Sequence, residues 1–395
     1  MQSGNEVANV LRSHWKLIEQ SVTNKTLNTW QLRTLSALMK CRTSALGGHV
    51  DGCTHCGKAR ISYNSCRNRH CPKCQGNERE AWIQAREKEL LPVAYFHVVF
   101  TLPSELNALC MQYPRLLYAS LFDAAWDTIN TFAKDEKHLG ATTGMISILH
   151  TWGQQLTLHP HLHCIVPAGG LTKQGQWKHS KTKGDYLFPV KALSVVYRAK
   201  YIHHLRKHVA AHNEQAAHPI VLPKEVIDTC FAKPWVVYAK KPFCGVNSVV
   251  EYLGRYTHKV AISNNRITAI DKINSAVTFN YKDYQANGIK KSLTLNVMEF
   301  VRRFSLHILP KSFVRIGHYG ILSSTSKAKA IAAIRKQLPS KLILVTRLPV
   351  EKYNPLQCPC CKNETMIRII LFDQRGPPTQ WREYAQQRLT KLMAS

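Results

Sequence analysis

The chain has 395 residues, of which 45% are hydrophobic, so it is long enough to bury a sizeable core divided over two or three domains. It carries 54 Lys and Arg against 24 Asp and Glu, a formal net charge of +30. This charge is spread along the chain and indicates a polyanionic partner, because cationic side chains neutralise phosphates and release counterions. There is no apolar run long enough to span a bilayer and no secretory leader, so we expect a cytoplasmic protein without membrane attachment.

The predicted elements mix helices and strands. Residues 1–40 are predicted to be helical, and residues 41–77 are too rich in Cys, His, Gly and Arg for an apolar core, so we expect metal to organise them. A helix is predicted over Glu78–Leu91, with Asn77 as its N-cap. Further strands are predicted at 94–102, 146–152, 156–166, 235–239, 260–270, 276–281 and 293–295, and further helices at 104–112, 115–134, 191–208, 246–258, 297–306 and 327–337.

These elements lack a regular βαβ alternation, which predicts an α+β fold with an antiparallel sheet flanked by helices. We expect three consecutive domains. Residues 1–92 would hold the helical segment and a zinc-ribbon-like module, residues 93–320 the catalytic domain, and residues 321–395 a basic C-terminal region with a Cys cluster.

Two Cys-x2-Cys units, Cys53–Cys56 and Cys71–Cys74, are separated by 14 residues. This spacing is close to that of zinc ribbons and predicts a structural Zn²⁺ held by these four thiolates in a reducing compartment. The residues Cys41, His49, Cys66 and His70 are interleaved with them and form either a second tetrahedral site or structural neighbours. Cys358 and Cys361 offer another Cys-x2-Cys half, whose remaining ligands the sequence does not identify. The isolated cysteines are expected to be buried packing residues: Cys110, Cys164, Cys230 and Cys244.

His161 and His163 lie two residues apart in a predicted strand, so their imidazoles share one face. Two neutral imidazoles side by side form half of a divalent-metal site. The alternative is two ordinary strand histidines, one buried and hydrogen-bonded.

Tyr252 and Tyr256 stand at positions i and i+4 of a predicted helix, like two nucleophiles aimed at one centre. The alternative is a pair of packing residues. Arg255 and Lys259 are candidate phosphate contacts, and a solvated basic face is the ordinary alternative. No Gly-x-x-x-x-Gly-Lys-Ser/Thr loop occurs, so we expect no nucleotide cofactor.

Together these motifs resemble the two-tyrosine HUH transposases of rolling-circle insertion sequences, relatives of plasmid replication initiators and conjugative relaxases. The resemblance covers most of the chain, and its motifs occur in the family's order. The motifs that carry it are Gly47–Cys53 and Tyr63–Gln75 for the zinc-binding domain, His97–Pro103 for the first catalytic strand, Trp152–Gln154 with His159–His163 for the metal motif, and Tyr252–His258 for the tyrosine motif.

The resemblance implies an HUH single-strand endonuclease that acts on single-stranded or hairpin DNA ends. In such enzymes Mg²⁺ or Mn²⁺ polarises the scissile phosphate, and a tyrosine attacks to form a 5′-phosphotyrosine link. It further implies that His161, His163 and a third polar residue hold that metal. Gln154 is the leading candidate for the third ligand, with Glu251 and His258 as rivals.

Two other functions stay open at this stage. A plasmid replication initiator or relaxase would use the same chemistry, whereas a zinc-ribbon nucleic-acid-binding regulator would use no catalysis. A covalent protein–DNA adduct that resists SDS separates both enzymes from the regulator.

Overall fold

A computed structural model describes residues 4–23, 26–74, 89–181, 187–243, 259–284, 286–338 and 354–394, together with Ile83, Val249 and Gly254. The chain forms two compact units, and each is assembled from separate segments. The first unit comprises Met1–Glu78, Ile262–Arg302 and Thr346–Ser395, and the second comprises Arg79–Ala261 and Arg303–Val345. The sequence predicted consecutive domains instead, because linear composition does not reveal which distant segments pack together.

The second unit contains most of the helices and strands that the sequence predicted between residues 93 and 320. Its strands are β3 (Tyr95–Thr101), β4 (Gly144–Trp152), β5 (Leu158–Pro167), β6 (Gly169–Leu171), β7 (Trp177–His179), β8 (Val237–Phe243) and β12 (Ile316–Gly320). The helices of this unit whose bounds the structure describes are α4 (Asn107–Gln112), α5 (Pro114–Lys134), α6 (Val190–Asn213), α7 (Lys224–Ala232) and α9 (Lys327–Gln337). The predicted fold class, an α+β fold with an antiparallel sheet, is confirmed.

A five-stranded sheet organises this unit, with strand order β12-β4-β5-β3-β8 and antiparallel pairing throughout. The predicted pairing of strands near 146–152 and 156–166 is that of β4 with β5. The outer strands of the sheet, as far as the chain is described, are β12 and β8. Strand β8 follows Trp235, which is buried and donates its indole N–H to the carbonyl of Cys230.

The two faces of this sheet have different surroundings. On one face, alternate residues of β3 and β5 pack against α5 and α6; among them are Phe96, Val98, Phe100, Leu162, Cys164 and Val166. On the other face, Ile146, Ile148 and Ile165 pack with residues of α9. This second face also carries the histidines of the metal motif, because strand side chains alternate.

The first unit combines helices with two three-stranded sheets. Its helices are α1 (Val7–Ser13), α2 (Trp15–Thr23), α3 (Thr29–Lys40), α8 (Val297–Ser305) and α10 (Trp381–Met393). Its strands are β1 (Gly48–Cys53), β2 (Ala59–Tyr63), β9 (Ile267–Asp271), β10 (Ala276–Asp283), β11 (Ile289–Asn296) and β13 (Met366–Phe372). One sheet has the order β13-β1-β2, and the other has the order β11-β10-β9.

Local chemistry explains parts of this unit. Asn28 and Gln31 form a reciprocal capping box at the start of α3. Strand β1 lies between β13 and β2, so residues near the C-terminus complete a sheet that starts near residue 48. At Gly52 this packing is so close that an added Cβ would lie 2.4 Å from Cδ1 of Ile369 and 2.8 Å from a methyl of Leu389. An alanine at this position would therefore force the side-chain ends of Ile369 on β13 and Leu389 on α10 to move.

Within the part of the chain that the structure describes, no helix is both long and apolar enough to cross a bilayer.

Candidate functional site

Three imidazoles meet on the second face of the five-stranded sheet. His161 and His163 lie on β5, and their common face agrees with the sequence-based expectation. His150 lies on β4, directly opposite His161 in the antiparallel register. One ring nitrogen from each of the three lies within 4.8 Å of the others, which is the arrangement a shared metal ion needs.

Hydrogen bonds set which nitrogen two of these rings can offer. The Nδ1–H of His161 donates to the carbonyl oxygen of His159 at 2.7 Å, so its Nε2 keeps a free lone pair. The Nδ1 of His163 lies 3.0 Å from the Nε2 of His97, which is buried on β3. Metal-binding histidines in proteins are commonly oriented by a hydrogen bond at the second ring nitrogen, and these two contacts are of that kind.

Two of the imidazoles, those of His161 and His163, are held in the neutral state that metal binding requires. Burial lowers the pKa of His161 to about 4, and nearby Lys259 adds to the effect. Burial also lowers the pKa of His163 strongly, with further contributions from His161, His97, Lys259 and Arg315. Three imidazole donors suit a divalent transition ion such as Mn²⁺ better than Mg²⁺, which prefers oxygen ligands.

Aromatic and basic side chains border the histidines. Trp152 stacks on His150 with ring centroids 4.6 Å apart, and the guanidinium of Arg315 lies over Trp152 at 5.2 Å. Arg315 donates from Nη2 to the carbonyl of Lys259 at 2.8 Å and from Nε to the carbonyl of Leu149 at 3.1 Å. The chain that follows the tyrosine motif is thereby tied to β4 beside the histidines.

The sequence-based third ligand, Gln154, lies in the turn that joins β4 to β5. It stays a prediction, while the structure adds His150, which sequence reasoning missed. The sequence does contain a signal for this residue, because His150 lies two residues before Trp152 of the metal motif. Pairing of β4 with β5 is then enough to place His150 beside His161. The two rival ligands, Glu251 and His258, lie outside the described residues.

The predicted nucleophiles Tyr252 and Tyr256, and the predicted phosphate contact Arg255, also lie outside the described residues. Their described neighbours Val249 and Gly254 are helical and buried. Val249 packs in one apolar cluster with Ile146, Ile148 and Ile165, the neighbours of the histidines on the same sheet face. Lys259, the other predicted contact, is exposed.

Eight cysteines form two groups in the first unit, and their partners differ from those we expected. One group joins Cys41, Cys66, Cys71 and Cys74, and the other joins Cys53, Cys56, Cys358 and Cys361. The expected set of Cys53, Cys56, Cys71 and Cys74 is therefore split between two groups. The sequence could not predict this division because β13 pairs with β1 and brings Cys358 and Cys361 to Cys53 across a separation of more than 300 residues.

The geometry of both groups fits tetrahedral zinc. With Zn–S bonds of about 2.3 Å, the sulfur atoms of a tetrahedral shell lie about 3.8 Å apart. The Sγ atoms of Cys41 and Cys74 are 3.5 Å apart and those of Cys66 and Cys74 are 3.7 Å apart. In the other group, Cys53 and Cys361 are separated by 3.6 Å and Cys56 and Cys358 by 3.7 Å. These separations are far too long for disulfides.

The thiols also compete for negative charge. Hydrogen bonds from Cys66 and Cys71 hold the pKa of Cys41 well below its ordinary value. The same contact with Cys41 raises the pKa of Cys66 to about 12 and raises that of Cys71 as well. A second thiolate beside the first is unfavourable unless a cation lies between them. A bound Zn²⁺ would provide that positive charge, so four neighbouring thiols are a suitable donor set for zinc.

The two histidines of the expected second zinc site lie outside these groups. His49 pairs through Nε2 with the carboxylate of Asp51 at 3.1 Å on the same strand. The backbone N–H of His70 donates to the side chain of Asn68 in the turn before Cys71. Cysteines occupy the positions that we had assigned to histidines, so each group is a four-thiol set.

Two family profiles match separate segments of the chain. Residues 10–102 match the family profile described as "Transposase zinc-binding domain", and residues 144–329 match the profile described as "Putative transposase". The first match contains six of the eight clustered cysteines, and the second contains the three histidines.

Two curated proteins are similar over most of their lengths. "Putative transposase y4qJ" of Sinorhizobium fredii is 41% identical over 408 residues, which cover 96% of this chain and 99% of that protein. "Transposase for insertion sequence element IS801" of Pseudomonas savastanoi pv. phaseolicola is 27% identical over 353 residues, covering 84% and 82%. A solved structure of the conjugative relaxase TrwC in complex with OriT DNA is 14% identical with a TM-score of 0.22, covering 42% of this chain and 71% of that one.

Proposed function

The chain belongs to the transposase family with an IS91-type zinc-binding domain, and we propose that it cleaves and rejoins single-stranded DNA at the ends of an insertion sequence through a 5′-phosphotyrosine intermediate. The observation that carries this proposal is the cluster of His150, His161 and His163. It lies on the sheet face on which Val249, three residues before the tyrosine motif, is packed.

In the proposed step, the phenolic oxygen of Tyr252 or Tyr256 attacks the scissile phosphorus. The bond from phosphorus to the 3′ oxygen breaks, the 3′ oxygen takes up a proton, and the phenolic proton is lost to solvent. The phosphate stays on tyrosine as a diester, so its bond energy is conserved and a 3′-hydroxyl can later reverse the step without ATP. Two tyrosines would let one hydroxyl act on the first cleavage and the other on the next strand.

His150, His161 and His163 would hold a divalent metal ion, with Gln154 as a further candidate ligand. When bound, such an ion neutralises negative charge on the phosphate and orients it for attack. The protein supplies neutral imidazoles, two of them oriented by His159 and His97. Arg255 and Lys259 would contact flanking phosphates.

Zinc would occupy the two four-thiol groups as a structural ion. The group of Cys41, Cys66, Cys71 and Cys74 lies wholly within the segment that matches the zinc-binding domain. The other group recruits Cys358 and Cys361 from outside that segment. In a small sheet with little apolar core, such ions supply folding free energy.

The test is an adduct assay with single-stranded oligonucleotides that carry the sequences flanking the gene at both sides. With Mn²⁺ or Mg²⁺ we expect a protein–DNA adduct that resists SDS and is lost on chelation. Tyr252→Phe and Tyr256→Phe each remove only a hydroxyl, so one single variant should keep partial cleavage and the double variant should form no adduct. Binding of the same DNA should weaken steeply with salt, because the net charge is +30.

Two outcomes would count against this mechanism. An adduct formed by the double Phe variant would place the nucleophile elsewhere. Metal-dependent cleavage without any adduct, by the wild-type chain, would mean that water is the nucleophile and that the covalent step is wrong.

A further inference from the structure

Tyr238 is an aromatic residue at the edge of the five-stranded sheet, as far as the chain is described, and it is 52% exposed. It lies on β8, the outer strand beside β3. Single exposed apolar residues are common on protein surfaces and carry no meaning by themselves. The position of Tyr238 in the strand register is what gives it a role.

The register places Tyr238 in one row with a histidine of the metal cluster. Tyr238 pairs with Val99 of β3, and Val99 pairs with His163 of β5. Neighbouring side chains in such a row are separated by about 5 Å, so Tyr238 lies roughly 10 Å from His163. A single DNA strand that has one phosphate at the histidines and crosses the sheet would span this distance.

The direction of the side chain follows from its neighbours. Val237 and Ala239 pack against the helical core on the first face of the sheet. Tyr238, between them, therefore points to the opposite face, as does Val236, which is 64% exposed. On β3, His97 lies on that same opposite face, because its ring contacts His163. Tyr238 and Val236 thus form an exposed apolar strip that continues the histidine face to the sheet edge.

We propose that Tyr238 is a stacking platform for an unpaired base of the single-stranded DNA whose phosphate is bound at the histidines. The inference rests on the proposed function. A base offers a flat apolar face to an exposed aromatic ring, and stacking of this kind tolerates any sequence. A strongly cationic chain attracts the phosphate backbone, and the strip then holds a base next to the scissile position. Tyr238 would thereby determine which phosphate of the DNA strand lies at the histidines and is cleaved.

The test combines Tyr238 variants with abasic substitutions in the DNA. Binding of a labelled single-stranded oligonucleotide is measured without divalent metal, so that no cleavage occurs. Tyr238→Ala should weaken binding on the order of tenfold, whereas Tyr238→Phe, which keeps the ring, should bind like wild type. Tyr384→Ala is the matched control, because Tyr384 is 48% exposed on α10 and removal of its ring should change binding little.

The decisive result comes from scanning an abasic site along the oligonucleotide. At one position, loss of the base should weaken wild-type binding about as much as Tyr238→Ala does. At that position the Tyr238→Ala variant should show no further loss, because the partner of the ring is already absent. At other positions the two losses should add.

Several results would overturn the proposal. These are unchanged binding by Tyr238→Ala, additive losses at every abasic position, and an equal loss in Tyr238→Phe. A change in oligomeric state of Tyr238→Ala without DNA would instead assign the strip to contact between copies of this chain. Failure of the proposed function is read separately, from the absence of a covalent adduct when metal is present.

Discussion

Replacing Cys361 with serine tests which thiols share a metal ion. The structure puts Cys361 in one group with Cys53, Cys56 and Cys358. Sequence spacing alone would instead join Cys53 and Cys56 to Cys71 and Cys74. Under the observed grouping, wild-type protein should hold two zinc ions in the thiol groups and Cys361→Ser should retain one. Under the grouping by spacing, Cys361→Ser should change nothing.

The size of the effect follows from the number of thiols. Structural zinc sites have apparent binding free energies of about 10–16 kcal/mol, so one ligand of four is worth roughly 3 kcal/mol. Zinc affinity at this site should therefore fall by about two orders of magnitude. Because β13 follows Cys361 and pairs with β1, loss of the ion should also expose residues 354–394 to proteolysis.

Zinc is measured by elemental analysis after dialysis against a weak chelator, and proteolysis is followed by mass spectrometry. Cys360→Ser is the matched control: Cys360 is exposed, adjacent in sequence, and outside the four-thiol group. A Cys361→Ser protein that keeps the wild-type zinc content, or a Cys360→Ser protein that loses one equivalent, would refute the assignment.

Further predictions concern the histidines and the tight packing of β1. His150→Ala should abolish metal-dependent cleavage while DNA binding persists. His159→Ala should keep both, since the hydrogen bond that orients His161 is accepted by the backbone carbonyl of His159, which alanine retains. A cleavage assay and a binding assay on each variant check this. His97→Ala should weaken metal affinity about 10- to 100-fold, and excess metal should restore cleavage. Gly52→Ala should lower the free energy of unfolding by about 1–3 kcal/mol in thermal melts, and Gly4→Ala, with open space around it, should not.

Local patterns predicted much of the fold. Alternation of apolar residues located β3, β4 and β5, and helical spacing located α5, α6 and α9 close to their observed bounds. The common face of His161 and His163 followed from alternation along one strand. These features depend on residues close in sequence, so a short window of the chain contains the information.

The missed features depend on contacts between distant segments. His150 joins the cluster only because β4 and β5 pair in the observed register. A β-bulge between His150 and Trp152 also affects that register. The pairing of Cys358 with Cys56 depends on β13 joining β1. With several thiols at similar spacings, composition cannot decide which of them meet, because any Cys-x2-Cys unit can complete any other. The sequence did not predict the two units for the same reason, because each unit is assembled from segments that are distant along the chain.

The charge of the histidine cluster leads to a last prediction. Among the described residues the cluster contains three imidazoles and no carboxylate, and the cations of Lys259 and Arg315 act on it. A divalent ion there would keep its full charge in a positive field, which weakens its binding until a phosphate arrives. Metal and single-stranded DNA should therefore strengthen each other's binding by the same factor, about 5- to 150-fold for couplings of ordinary size. Titration of Mn²⁺ into the double Phe variant of Tyr252 and Tyr256, with and without DNA, measures that factor without cleavage. Equal Mn²⁺ affinities in the two titrations would mean that an acidic ligand already neutralises the ion, and the candidate from the tyrosine motif would then be Glu251.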